Sequence, residues 1–199
     1  MNTPNKLTLL RIVLVPFFVL FLLLPQIPHH YLLAGIVFAI AAVTDHFDGR
    51  LARKHNQITD FGKFADPLAD KILVMAAFLC FVQDGLLSAV AVIIMLFREF
   101  MVTSVRLVAV EHKKVIAANF WGKAKTVSQI VSILLVLILQ YVGELMGMGV
   151  IPVSAETAAA ANWWFFTIGE AAVWISVVLT VISGAIYLWD NRNFVKNAK

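Results

Sequence analysis

Four aspartates are the residues best placed to do chemistry: Asp45, Asp48, Asp66 and Asp70 lie within the 26-residue stretch DHFDGRLARKHNQITDFGKFADPLAD. On a helix, Asp45 and Asp48 are three residues apart and Asp66 and Asp70 four apart, so each pair shares a face. Two such pairs on facing helices would converge on one pocket. The stretch follows an apolar run, and unneutralised carboxylates at a membrane boundary are costly. Hard divalent cations are the usual partners that make such a group tolerable. Gly49 and Ala52 sit on or beside the first acidic face and Gly62 lies one turn before Asp66, leaving room for a phosphate or ligand backbone to approach.

Written as a pattern, the stretch reads D-x2-D-G-x2-A-R-x8-G-x3-D-x3-D, from Asp45, Asp48, Gly49, Ala52 and Arg53 to Gly62, Asp66 and Asp70. It resembles the signature of the CDP-alcohol phosphotransferases, with all of that family's fixed positions present at the family spacing. The opening MNTPNKLTLLRIVLVPFF is similar to that of the bacterial phosphatidylglycerophosphate synthases within the family, and the likeness extends to about Gln129. The resemblance implies a reaction in which a CDP-linked lipid gives its phosphatidyl group to an alcohol and releases CMP. It implies two divalent cations, Mg2+ or Mn2+, on Asp45, Asp48, Asp66 and Asp70, with Asp70 also taking the proton of the attacking hydroxyl. Gly49, Arg53 and Thr59 match positions that contact the CDP-lipid, and Ala52 and Gly62 belong to the same surface. Asn5 and Thr8 are expected at the nucleotide. A homodimer is what the family suggests.

The elements that must position these residues are helices in a membrane. The 199 residues are 61% apolar and only 14% charged, with a mean hydropathy of +0.87, whereas soluble domains average about a quarter charged. Crossing the hydrocarbon takes about 20 residues. Thr126–Gly143 and Ala171–Trp189 approach that length without a charge; Ile12–Leu24, Tyr31–Thr44, Ile72–Val82 and Gly85–Phe97 need a charged end included. The expected fold is one all-α membrane domain over residues 1–199, with six transmembrane helices and a short interfacial segment over residues 1–6. The alternative, buried helices of a soluble protein, fits the composition poorly. All 16 Lys and Arg fall on one set of alternating connections or ends. Pro25–His30, Gln83–Leu86 and Glu144–Ala161 carry none. The positive-inside rule then places both termini and the acidic stretch on the cytoplasmic side of a bacterial inner membrane. Trp163, Trp164, Phe165 and Phe166 suit an aromatic belt at the far interface. No cleavage site follows the first run. Met146–Ala161 reads as an external loop or re-entrant piece.

The net charge of +4 suits a cytoplasmic face on anionic lipid, and nucleic acid is an unnecessary hypothesis. Arg98, Arg106, Lys123 and Lys125 gather on the cytosolic ends of two successive helices, either as topology alone or as a site for an acceptor bearing a phosphate. Glycerol 3-phosphate fits, and inositol phosphate fits the charges equally well. Glu99, adjacent to Arg98, is expected on a different helix face and hence is a poor partner for it. Pro67, inside the second Asp pair, raises the question of whether Asp66 is helical. His46 points away from the paired acidic face, and Cys80 reads as a packing residue. A prenyltransferase would spread its acidic motifs over separate repeats, and a cation transporter would carry acids along the bilayer midplane. Neither pattern is present. The donor expected is CDP-diacylglycerol.

Overall fold

The computed structural model describes residues 3–55, 60–111 and 120–192, and their side chains except those of residues 3–7, 45–55, 60–67, 70, 110 and 111. Six helices follow in order: α1 Thr3–Leu23, α2 His30–His55, α3 Asp60–Gln83, α4 Ala89–Glu111, α5 Phe120–Gly147 and α6 Ala155–Asp190. Each apolar run of the sequence lies largely within one of them, and no strand occurs among the described residues.

Two boundaries depart from expectation. The first helix begins at Thr3, so residues 3–6 are its opening turn rather than a separate interfacial segment. Pro4 sits where a missing N–H breaks no helix bond. The sixth helix begins at Ala155, which makes it 36 residues long and turns half of the expected outer loop into helix. Ser154 caps it, its hydroxyl accepting from the Thr157 amide at 3.2 Å, and Glu156 lies in the first turn, complementing the dipole.

Sequence chemistry also sets the other ends. Leu86 N–H bonds back to the Phe81 carbonyl at 2.8 Å with Gly85 at φ 69°, a left-handed closure of α3 that favours glycine. The α2 start is capped from a distance. The Glu144 carboxylate, near the end of α5, accepts from the backbone N–H of His30 at 3.1 Å and of Tyr31 at 3.4 Å. Burial pushes Asp84, in the α3–α4 turn, above the usual carboxylate range, and His30 partly offsets this.

The first helix packs along both α2 and α3, α5 runs along α6, α2 rests on α5, and α4 lies on α6. Val15, Phe18 and Leu22 of α1 are buried with Ala34, Phe38 and Ala41 of α2 and Ala77, Phe78 and Phe81 of α3. The Phe18 and Phe38 rings stand 5.7 Å apart. Small residues among large ones let the helices close tightly.

The polarity of the bundle is inverted relative to a soluble one. Phe97 and Phe100 are about 70% exposed, and rows such as Leu10–Val13–Phe17–Leu20 and Val127–Val131–Ile138 face outward. Inside lie Arg11, Arg98, Glu99, Lys125, Gln129 and several hydroxyls. An apolar exterior around a polar interior suits hydrocarbon as the solvent. Among the described residues, two helices, α5 and α6, are long and apolar enough to cross a membrane by length and composition.

Candidate active site

Helix α2 continues unbroken through Asp45 and Asp48 to His55. Asp45, Asp48, Gly49 and Ala52 therefore fall along one side of its last turns. Helix α3 is helical from Asp60 through Pro67, so Asp66 and Asp70 stand one turn apart on a common face. The doubt that Pro67 raises about Asp66 is resolved in favour of helix. The side chains of the four aspartates, of Asn5, Ala52 and Arg53, and the surroundings of Gly49 and Gly62, lie outside the described residues, as does Thr59 altogether. Thr8 is fully buried on α1, with Arg11 one turn further along. Among the described residues no three His, Cys, Asp or Glu gather closely enough to hold a metal ion.

One residue beyond Asp70 the described side chains resume, and they form a charged cluster. Lys71 of α3, Glu99 of α4 and Lys125, Thr126 and Gln129 of α5 line a small, partly open cleft with Val74 and Met75. Lys71 Nζ donates to Thr103 Oγ1, joining α3 to α4. Lys125 Nζ donates to Glu99 Oε1 at 2.5 Å, and Arg98 Nη1 donates to the same oxygen at 3.0 Å. Arg98 Nη2 donates to Ser183 Oγ on α6 at 2.7 Å. Arg98, Glu99 and Lys125 are all buried.

These contacts correct the expectation for Glu99. It is the anionic partner of Arg98 although it is the next residue. Adjacent helical positions point about 100° apart, but the long arginine stem lets the guanidinium fold back to its neighbour. The expected set of four cations also divides. Arg98 and Lys125 meet on Glu99, while Arg106 and Lys123 are exposed. Lys71 enters the cluster without having been singled out in the sequence, and Glu99, set aside there as a partner for Arg98, stands at its centre. Their signal is charge at the edge of apolar runs, beside residues already under suspicion.

Beyond Arg98 a seam of hydroxyls and amides runs between α5 and α6. Gln129 Nε2 reaches Thr180 Oγ1 at 3.5 Å, and Ser132 and Ser176 are 3.4 Å apart. The sequence carries this seam as Ser176, Thr180 and Ser183 at i, i+4 and i+7 in an otherwise apolar helix. At its charged end Gly184 admits the Arg98 stem. A Cβ there would stand 2.9 Å from Arg98 Cγ, a near-backbone atom with little freedom to move. Gly184→Ala is therefore expected to cost about 1–3 kcal/mol by overpacking, lowering Tm by roughly 2–10 °C in a chain of this size. Gly35→Ala, with nothing within 4 Å of its added Cβ, should show no such drop. Thermal scans of the two variants check this.

An all-helical bundle with an apolar exterior around a buried charged cluster is a membrane-type protein. The chain belongs to the CDP-alcohol phosphatidyltransferase family, whose sequence profile matches residues 1–182. It is 39% identical to the CDP-diacylglycerol–glycerol-3-phosphate 3-phosphatidyltransferase of Bacillus subtilis, over 99% of this chain and 98% of that protein. The enzyme of the same description from Haemophilus influenzae is 40% identical over 66% of this chain and 73% of its own. A probable phosphatidylglycerophosphate synthase of Mycobacterium tuberculosis is 38% identical over 94% of this chain and 80% of its own.

Proposed function

We propose that this protein transfers the phosphatidyl group of CDP-diacylglycerol to glycerol 3-phosphate, giving phosphatidylglycerophosphate and CMP. The observation that carries this reading is the 39% identity to a relative of that description along 99% of the chain. In the reaction the acceptor hydroxyl oxygen bonds to the phosphatidyl phosphorus. The phosphoanhydride bond to CMP breaks, and its electron pair leaves on the CMP phosphate. Asp70 takes the hydroxyl proton. Gly49, Ala52 and Gly62 let the pyrophosphate approach, Arg53 pairs with it through its planar fork, and Thr59, Asn5 and Thr8 complete the CDP-lipid side.

The acidic residues fit divalent cations by donor type: four carboxylates in two helical pairs offer the hard oxygens that Mg2+ or Mn2+ prefers. Two such ions, when bound, neutralise the pyrophosphate and stabilise the leaving oxygen. Arg98 and Lys125, with Lys71 at the cleft and the exposed Arg106 and Lys123 on the same two helices, α4 and α5, supply positive charge for the acceptor's phosphate. The test is CMP release by the purified protein with CDP-diacylglycerol, Mg2+ or Mn2+, and a panel of acceptors. Release greatest with glycerol 3-phosphate is expected. Release greatest with inositol phosphate, or independent of any acceptor, overturns the reading.

The same proposal places all six helices across the bacterial inner membrane with both termini and the site in the cytoplasm. Even the shortest helix, α1 with 21 residues, is about 32 Å long at 1.5 Å per residue, enough for a hydrocarbon core of about 30 Å. Single cysteines at Lys54, Lys114 and Lys199, in a chain with Cys80 replaced, should label only from the cytoplasmic side and one at Glu156 only from the other. Labelling of position 54 from outside sinks this topology. The proposal includes a homodimer, which mass measurement of the purified protein in detergent should show as a species of twice the chain mass.

A further inference from the structure

Among the described residues, the cleft cluster holds one carboxylate and three ammonium or guanidinium groups contributed by α3, α4 and α5. Both Arg98 Nη1 and Lys125 Nζ donate to a single oxygen of that carboxylate, Glu99 Oε1. An anion that took the place of this oxygen would meet both cations at once. The Arg98 head is also held from behind by Ser183, and its stem lies against Gly184. It therefore stays in position whether its front partner is a carboxylate or a phosphate. Glu99 lines the cleft, and the oxygen it holds there is the one that Arg98 and Lys125 share.

From this arrangement we infer that Glu99 is a positioning and specificity-determining residue, whose carboxylate competes with the acceptor's phosphate for Arg98 and Lys125. The inference rests on the proposed reading of the cluster as the acceptor's phosphate site. Glu99 keeps two buried cations in register, and it lowers the affinity of the pocket for simple anions. A ligand must then bring a phosphate together with a hydroxyl for the acidic faces, because phosphate alone gains little by displacing a carboxylate already in place. Removing the carboxylate takes from Arg98 and Lys125 the one oxygen they share. The cations left behind by Glu99→Gln should accordingly gain more from an external anion than they do in the wild type.

The experiment uses the full-length protein in detergent, without CDP-lipid or divalent cation, and inorganic phosphate as the probe. Calorimetry and thermal scans are run on wild type, Glu99→Gln and Glu99→Asp. Glu99→Gln is expected to bind phosphate about three- to tenfold more tightly, and phosphate should raise its Tm by more than it raises that of the wild type. Glu99→Asp, whose charge is drawn back by one methylene, should fall between the two and keeps the test open if Glu99→Gln does not fold. In turnover, Glu99→Gln should lower both KM for glycerol 3-phosphate and kcat, a split that simple loss of folded enzyme does not produce. Phosphate binding unchanged or weaker in both variants overturns the inference. Because binding is read without turnover, that failure is distinct from failure of the proposed reaction, which would show as absent glycerol 3-phosphate-dependent CMP release in the wild type.

Discussion

Asp45→Asn and Asp66→Asn are each expected to abolish divalent-cation binding and CMP release together. The substitution keeps side-chain size and removes charge, so it tests the carboxylate and not the packing. Each residue belongs to a different helical pair, on α2 and on α3, and loss of either should break a site that needs both. Metal stabilisation of a reacting phosphoryl oxygen is worth several kcal/mol. At about 1.4 kcal/mol per decade of rate, the expected loss is on the order of a thousandfold. Mn2+ binding followed by electron paramagnetic resonance and CMP release titrated with Mg2+ provide the two readouts. Near wild-type turnover at low Mg2+ in either variant would remove the two-metal reading. Retained Mn2+ binding with lost turnover would make the residue part of the donor site instead.

What could be read from the sequence follows from where the determinants lie along the chain. The ends of α2 near His55 and of α3 near Asp60 were legible because the polar stretch between two apolar runs is local. The start of α6 was less so. Ala155–Ala161 has no charge pattern beyond Glu156 and no apolar bulk, and it reads as loop. Yet alanine is the best helix former, and Ser154 ahead of Glu156 and Thr157 is a capping signal that outweighs the missing periodicity. The charges of the cleft were visible as residue types, while their pairing was not. Ser183 reaches Arg98 across 85 positions, and only the packing of α4 on α6 brings them together. The Glu99 contact fails from sequence for a different reason, since face arguments describe Cβ directions and a long guanidinium can turn back on its own helix. The placing of each acidic pair on one helix face needed only spacing. The cationic cluster needed the fold.

Arg98→Ala is expected to raise KM for glycerol 3-phosphate by roughly ten- to a hundredfold, the equivalent of losing one charged hydrogen-bond partner at about 1.5–3 kcal/mol. KM for CDP-diacylglycerol should change much less, because the guanidinium is held by Glu99 on α4 and Ser183 on α6, in the cluster assigned to the acceptor's phosphate. The variant also leaves Glu99 with Lys125 as its partner in the cluster, and breaking a buried pair commonly costs about 3–5 kcal/mol of stability. A fall in Tm is therefore part of the expectation, and it has to be separated from the kinetic effect. Ser183→Ala helps to do this: it removes the rear support of Arg98 while every charge stays in place, and should raise the same KM by a smaller factor with a smaller fall in Tm. Arg98→Lys should rescue only in part, because one ammonium cannot span the carboxylate and the serine as the planar fork does. Kinetics with each substrate varied in turn decide between the alternatives. A loss confined to the CDP-lipid moves Arg98 to the donor site. A loss in neither leaves the arginine as a buried structural tie between α4 and α6, and the acceptor's phosphate must then be held by Lys71 and Lys125 at the cleft.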